Sequence, residues 1–199
     1  MIIAVTRTGC AAPPARRVAP ETSSDDILIG RIAGGDRLAM RMLFARHRLP
    51  VYRWLLRLVR DEALAEDLLN EVFLDVWRQA AAFEARASVA TWLLAIARHK
   101  ALSARRRRLD AQLDDETAAA IPDPAADPER VLQEKDRSEL LRRALASLSP
   151  EHGEVVDLVY YHGKSVKEAA AILGIAEATV KTRMFYARRK LAELVKAAA

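Results

Sequence analysis

The chain has 199 residues, enough for one large helical domain or two small ones, each able to bury a core. Its 32 Lys and Arg outnumber 27 Asp and Glu, and the resulting net charge of +5 points to a polyanionic partner. The single cysteine, Cys10, excludes an internal disulfide, and four histidines scattered at His47, His99, His152 and His162 offer no ligand spacing, so neither a metal nor any other cofactor is expected.

The opening MIIAVTRTGC has a short apolar run with no basic lead, which argues against a secretory signal or a lipid anchor. No segment approaches the ~20 apolar residues of a membrane span. The expectation is a cytoplasmic protein with no membrane insertion. Residues 1–24 are Ala, Pro, Arg and Thr without period, the composition of a disordered tail.

Helical periodicity begins at SSDDILIGRIAGG, where Ser23, Ser24 and Asp25 offer capping oxygens and Gly34-Gly35 ends a short helix. Asp36 then caps a second helix, in which Pro50 predicts a kink or an internal boundary. The next segment, AEDLLNEVFLDVWR, puts Leu68, Leu69, Val72, Phe73, Val76 and Trp77 on one face at about 100° per residue. Its other face carries Asp67, Glu71 and Asp75, mutually repulsive at i,i+4 spacing, with Asn70 and Leu74 between them and Arg78 as the nearby cation. On the residues alone this stripe is equally a docking surface for a basic protein and a tolerated charge cluster with one stray Leu.

A loop around FEARAS leads into VATWLLAIARHKALSARRRR. Between Glu84 and Asp110 there is no acid, while Arg86, Arg98, Lys100 and Arg105 to Arg108 accumulate beside Ser88, Thr91 and His99. Backbone-tracking charge next to aromatics suits single-stranded or opening DNA. Trp92 itself is assigned to the core, in a stripe with Ala95 and Ile96, and the arginine run to phosphate contact. One all-helical domain, residues 25–108, results. Residues 109–133 are rich in Asp and Glu and interrupted by three prolines, and read as an acidic flexible linker. Helical pattern resumes over 134–197, where Ser149-Pro150, Gly163 and Gly174 divide it into four helices. The fold class is therefore all-α, two small helical domains joined by a linker.

The strongest local signal is VKEAAAILGIAEATVKTRMFYARRKL. Ala170, Gly174 and Val180 have the spacing of a helix-turn-helix, with Leu173 and Ile175 flanking the turn. Val180, Met184, Ala187 and Leu191 point inward on the second helix. Thr179, Lys181, Thr182, Arg183, Phe185, Tyr186, Arg188, Arg189 and Lys190 are left for base edges, phosphates and packing, and no acid occurs from Lys181 to Lys190. Such a helix suits a major groove. The plainer alternative, a helical hairpin with a solvated basic face, does not account for the turn spacing and the acid-free helix together.

An acidic helix, a basic helix, an acidic linker and a C-terminal helix-turn-helix, in that order, resemble the extracytoplasmic-function (ECF) group of bacterial sigma factors over residues 25–195. The resemblance implies that Asp67, Asn70, Glu71, Leu74 and Asp75 bind the β′ subunit of core RNA polymerase. It implies that Arg86, Ser88, Thr91, Arg98, His99, Lys100, Arg105 and Arg106 engage the −10 element, with an unstacked base captured in the Phe83–Thr91 loop. Thr179, Lys181, Thr182, Arg183, Phe185, Tyr186 and Arg189 would read the −35 element. The expected partners are core polymerase (β′ and β), promoter DNA and an anti-sigma factor. The linker can stretch roughly 80 Å, enough for two duplex turns of ~34–36 Å each. Departures from the family pattern include Asn70 for Gln, Ala85 for the −10 loop Gly, His99 for Asn, Gly153 for Arg and Ala176 for a capping Ser. A stand-alone helix-turn-helix regulator, the alternative, would need a dimer face that is not visible and leaves the acidic stripe without a role. No clustered carboxylates or histidines accompany the basic zones, so neither catalysis nor a small-molecule substrate is expected.

Overall fold

The computed structural model describes residues 24–114 and 144–197, and every regular element among them is helical. The expected N-terminal tail lies outside the described residues, as do most of the linker and the start of the second domain. Four helices make the first domain: α1 (Asp25–Ala33), α2 (Arg37–Val59), α3 (Glu62–Gln79) and α4 (Val89–Asp114). A 3-10 turn at Ala80–Ala82 closes α3.

The caps follow the chemistry of the sequence. Ser24 accepts from Ile27 N–H at the start of α1, and Asp36 accepts from Leu38 and Ala39 at the start of α2. Asp61 caps α3 by accepting from Leu64 N–H. Pro50 does not divide α2, which runs through it as one helix. Buried Leu43 on one side and Val51, Trp54 and Leu55 on the other bind both halves to the same core, which offsets the lost backbone bond. That core joins Leu28 and Ile32 of α1, Leu68, Val72 and Val76 of α3, and Leu93 and Ala97 of α4, all around Trp54. The Trp54 indole N–H donates to Leu94 O at 3.2 Å, so the ring is buried without an orphaned polar group.

Helix α4 extends past the arginine run at which the sequence reading stopped it, to Asp114. Its buried stripe also differs by one register step. Leu93, Leu94, Ala97, Ala101 and Ala104 are buried, whereas Trp92, Ala95 and Ile96 are half-buried beside them. Two adjacent leucines against α2 outweigh a single Trp, and Trp92 turns instead onto Phe83, ring centroids 4.9 Å apart.

The second domain contains α5 (Pro150–Val156), a wide π turn over Asp157–Tyr161, α6 (Val166–Leu173) and α7 (Glu177–Ala197). Ser149 caps α5, with Pro150 in its first turn. Ser165 and Glu168 form a reciprocal capping box on α6. Gly174 ends α6 in the left-handed conformation, φ 66°, which only Gly adopts without strain, and this aims α7 across α6. Val180, Met184 and Ala187 of α7 are buried against Ala169, Ala170, Ile172 and Leu173, as the spacing predicts.

The two domains pack on each other, with α4 against α6, and their buried side chains form one continuous cluster.

Candidate functional site

Three surfaces carry the residues singled out from the sequence. The first is the outward face of α3. Because Leu68, Val72, Phe73 and Val76 are buried, the opposite face must present Asp67, Asn70, Glu71 and Leu74 to solvent, and Leu74 is 46% exposed there. Asp75 is half-buried. The stripe is not left to its own repulsion. Lys100 reaches across from α4, its Nζ 2.9 Å from Asp75 Oδ2 and 3.1 Å from Glu71 Oε2. Burial alone would lower the Lys100 pKa; the hydrogen bonds to Asp75 and Glu71 overcome it and hold the ammonium above its ordinary value. Lys100 therefore belongs to the acidic stripe in this structure and is not presented to DNA, contrary to the sequence expectation. Asp67 has no ion pair among the described residues.

The second surface is a cleft of about 280 Å³ between the α3–α4 loop and α4, lined by Ala82 to Ala87, Thr91, Trp92 and Ala95, with Ala171 of α6 at its edge. Phe83 and Trp92 supply its aromatic wall. Ala85 holds the loop in a left-handed turn, φ 52°, at the position where the resembled family has Gly. Arg86 is exposed and pairs with Glu84. His99, Arg105 and Arg106 are exposed on the outer side of α4, and Arg108 reaches Asp61 at 3.3 Å.

Three residues expected to face single-stranded DNA are partnered by the second domain; Thr91 is buried, Arg98 is half-buried and Ser88 is exposed. Thr91 is 2% exposed; its hydroxyl donates to Glu168 Oε1 at 2.8 Å and accepts from Lys164 Nζ at 3.2 Å. Ser88 bonds Thr91 at 2.8 Å and reaches the same Glu168 oxygen at 3.4 Å. Arg98 Nε donates to Glu154 Oε2 at 2.9 Å. Glu154, Lys164 and Glu168 all belong to the second domain. Glu168 is held at about 2, well below the usual carboxylate range. The Ser165 backbone N–H is the main cause; Thr91, the Ser165 hydroxyl and Lys164 add to it, and burial opposes it.

The third surface is the outward face of α7. Thr179, Lys181, Thr182, Phe185, Tyr186 and Arg189 are exposed, and Arg183 is half-buried. Phe185 and Tyr186 meet edge-on at 5.5 Å. Two members are less available than the sequence implies. The Thr182 hydroxyl donates back to Ala178 O at 3.0 Å, and Arg189 pairs with Glu193 at 3.0 Å. Arg188 donates to the Tyr160 hydroxyl at 2.9 Å and lies over that ring, so of base edges, phosphates and packing it takes the last. The α5–α6 segment thereby buttresses α7. No group of His, Cys, Asp or Glu among the described residues could hold a metal ion, and no described helix is long and apolar enough to cross a membrane.

Comparison with known proteins matches this layout. Residues 43–109 fit the Sigma-70 region 2 family and residues 138–191 the Sigma-70 region 4 family. The ECF RNA polymerase sigma factor SigL of Mycobacterium tuberculosis is 36% identical over 160 residues, spanning 80% of this chain and 90% of the relative. The ECF sigma factor SigK of Mycobacterium bovis is 32% identical over 176 residues, spanning 86% and 94%. Among solved structures, the sigma factor RpoE of Bartonella quintana, crystallised with the anti-sigma factor NepR, superposes with a TM-score of 0.65 at 28% identity, covering 78% of this chain and 96% of its own. CnrH, in complex with the cytosolic domain of CnrY, gives 0.63 at 25% identity, covering 88% and 99%. The chain belongs to the ECF family of RNA polymerase sigma factors.

Proposed function

We propose that the three surfaces divide the work of a sigma factor among them. The outward face of α3, with Asp67, Asn70, Glu71, Leu74 and Asp75, docks on a basic surface of core RNA polymerase. Its charge repels DNA and complements Lys and Arg, and Leu74 supplies an apolar anchor inside the charged ring. The cleft beside Phe83 and Trp92 takes one unstacked base of the −10 element. Ser88, Thr91 and Arg98, with Arg86, His99, Arg105 and Arg106 further out, follow the adjoining strand. The exposed face of α7 enters the major groove of the −35 element, where Lys181 and Arg183 suit guanine and Phe185 a thymine methyl. An anti-sigma factor, such as accompanies the RpoE neighbour, holds the chain until a signal releases it.

The observation that carries this reading is the aromatic-walled cleft between the α3–α4 loop and α4. It accommodates a flat ring and has no carboxylate cluster that could run chemistry. The test is polymerase-dependent promoter opening by Phe83→Ala. Opening falls while duplex binding at the −35 element is retained; unchanged opening would remove the base from this cleft.

A further inference from the structure

The exposed face of α7 is bordered by a titratable ring from another helix. His152 of α5 packs against Tyr186, ring centroids 6.5 Å apart and planes tilted by 39°, and Phe185 meets the same Tyr186 at 5.5 Å. Three rings from two helices thus brace one another at this surface. The two nitrogens of His152 are in different situations. Nδ1 lies 3.1 Å from the Ser149 hydroxyl, whose oxygen also accepts from the His152 backbone N–H at 3.4 Å. Nε2 has no hydrogen-bond partner among the described residues, and it is not a buried orphan, so it meets solvent. The charged and titratable groups beside the ring are Glu151 in its own helix and Arg183 and Tyr186 of α7. Glu151 is held below the ordinary carboxylate range, chiefly by its own backbone N–H and the Ser149 hydroxyl; burial opposes them, and Arg183 and His152 add to them. Glu151 therefore stays ionised through neutral pH. Of these side-chain types, imidazole is the one whose charge changes between pH 5 and 8.

We propose that His152 is a phosphate contact of the duplex interface, donating from Nε2 to the backbone beside the groove that α7 enters, and that its protonation strengthens duplex binding as pH falls. The inference rests on the reading of α7 as the duplex-binding helix. Neutral imidazole offers one N–H and imidazolium offers two. In the charged form Nδ1 donates to Ser149 Oγ and Nε2 to a phosphate oxygen, so both donors find a partner. A bond from an ionised donor to a phosphate is roughly twice as strong as one from a neutral donor. Phosphate contacts fix the register of a reading element while base contacts specify. His152 does the first through the ring that it braces, since Tyr186 belongs to the face assigned to base edges. Arg183, beside Glu151, offsets the one carboxylate close to the incoming strand.

The test measures binding of the full chain to a duplex selected by that chain from a random pool, by fluorescence anisotropy across about 50 to 200 mM salt at pH 6 and pH 8. One added phosphate contact steepens the slope of log affinity against log salt by about 0.9. The unsubstituted chain should show that steeper slope at pH 6, with affinity at low salt higher by about fivefold than at pH 8. His152→Gln keeps a neutral donor and should show the shallow slope at both pH values. His152→Arg fixes the charge and should show the steep slope at both, a rescue that a merely structural role for the ring would not give. A slope in the unsubstituted chain that ignores pH would overturn the contact. So would a pH-dependent slope that survives His152→Gln in a variant of native helicity, because another group would then be the one titrating. Failure of the underlying reading looks different: selection would return no preferred sequence, whatever the salt slope does.

Discussion

Lys100 offers the sharpest perturbation, because it separates electrostatic masking from positioning on the α3 stripe. Its ammonium holds Asp75 at 2.9 Å and Glu71 at 3.1 Å. Lys100→Met keeps most of the apolar stem and removes the charge. Glu71 and Asp75 then repel each other at i,i+4, on the order of 0.2–0.5 kcal/mol. Two partly exposed ion pairs go as well, each worth about 0.2–1 kcal/mol. The fold should lose about 1 kcal/mol, a fall in Tm of about 2–4 °C for a chain this size. Toward core polymerase the sign reverses. A cationic group on the partner about 8 Å away, across half-solvated surface, no longer feels the opposing ammonium, a gain of about 1 kcal/mol or fivefold in affinity. Fluorescence anisotropy of labelled chain with core polymerase and no DNA measures it, at low and high salt. The gain should shrink as the screening length falls below the separation. Weaker polymerase binding at native helicity would refute masking and make Lys100 a residue that positions the acids.

Two of the left-handed positions, Ala85 and Gly174, should respond with opposite sign. Ala85→Gly releases an L-residue from φ 52°, a relief of about 1–2 kcal/mol offset by about 0.5–1 kcal/mol of backbone entropy, so Tm rises slightly. Gly174→Ala meets no neighbouring atom yet enters the same disfavoured region, and the helix-turn-helix should lose about 1 kcal/mol. Glu168, held at about 2, adds stability that is complete above the ordinary carboxylate pKa near 4.5 and is lost as pH falls from there through 2. Acid titration of the melting temperature should show stability falling in that window, and a melting temperature indifferent to Glu168→Gln across it would mean Glu168 contributes nothing. Lys181→Ala with Tyr186→Ala should relax base preference in selection from a random duplex pool. A uniform loss across all sequences would make both residues phosphate contacts.

Local structure was legible wherever one residue decides it. Ser24, Asp36 and Gly174 cap or turn as their chemistry requires, and Val180, Met184 and Ala187 sit inward at helical spacing. Pro50 marks no boundary in α2, because tertiary packing on both sides of it outweighs one missing N–H. The α4 stripe was misread by a step because the periodicity of a short apolar run does not distinguish Leu93 and Leu94 from Trp92 and Ala95 until α2 is placed against them. Charge pairing was the least legible. Lys100 meets Glu71 from 29 residues away, Arg98 meets Glu154 from 56, and Thr91 meets Glu168 from 77. No sequence period links such positions, so residues that read as free phosphate contacts turned out to be partnered by acids. The exposed faces of α3 and α7 were visible because each is the complement of a buried stripe on its own helix.

The α3 face decides the account most directly. Asp67→Lys with Leu74→Ala alters two solvent-exposed positions and leaves the Lys100 pairs intact. Titrating the double variant against core polymerase should show affinity falling by at least about tenfold, from one reversed charge and one lost apolar anchor. Melting temperature and −35 duplex binding should stay unchanged. Polymerase affinity equal to that of the unsubstituted chain would contradict the assignment of this face.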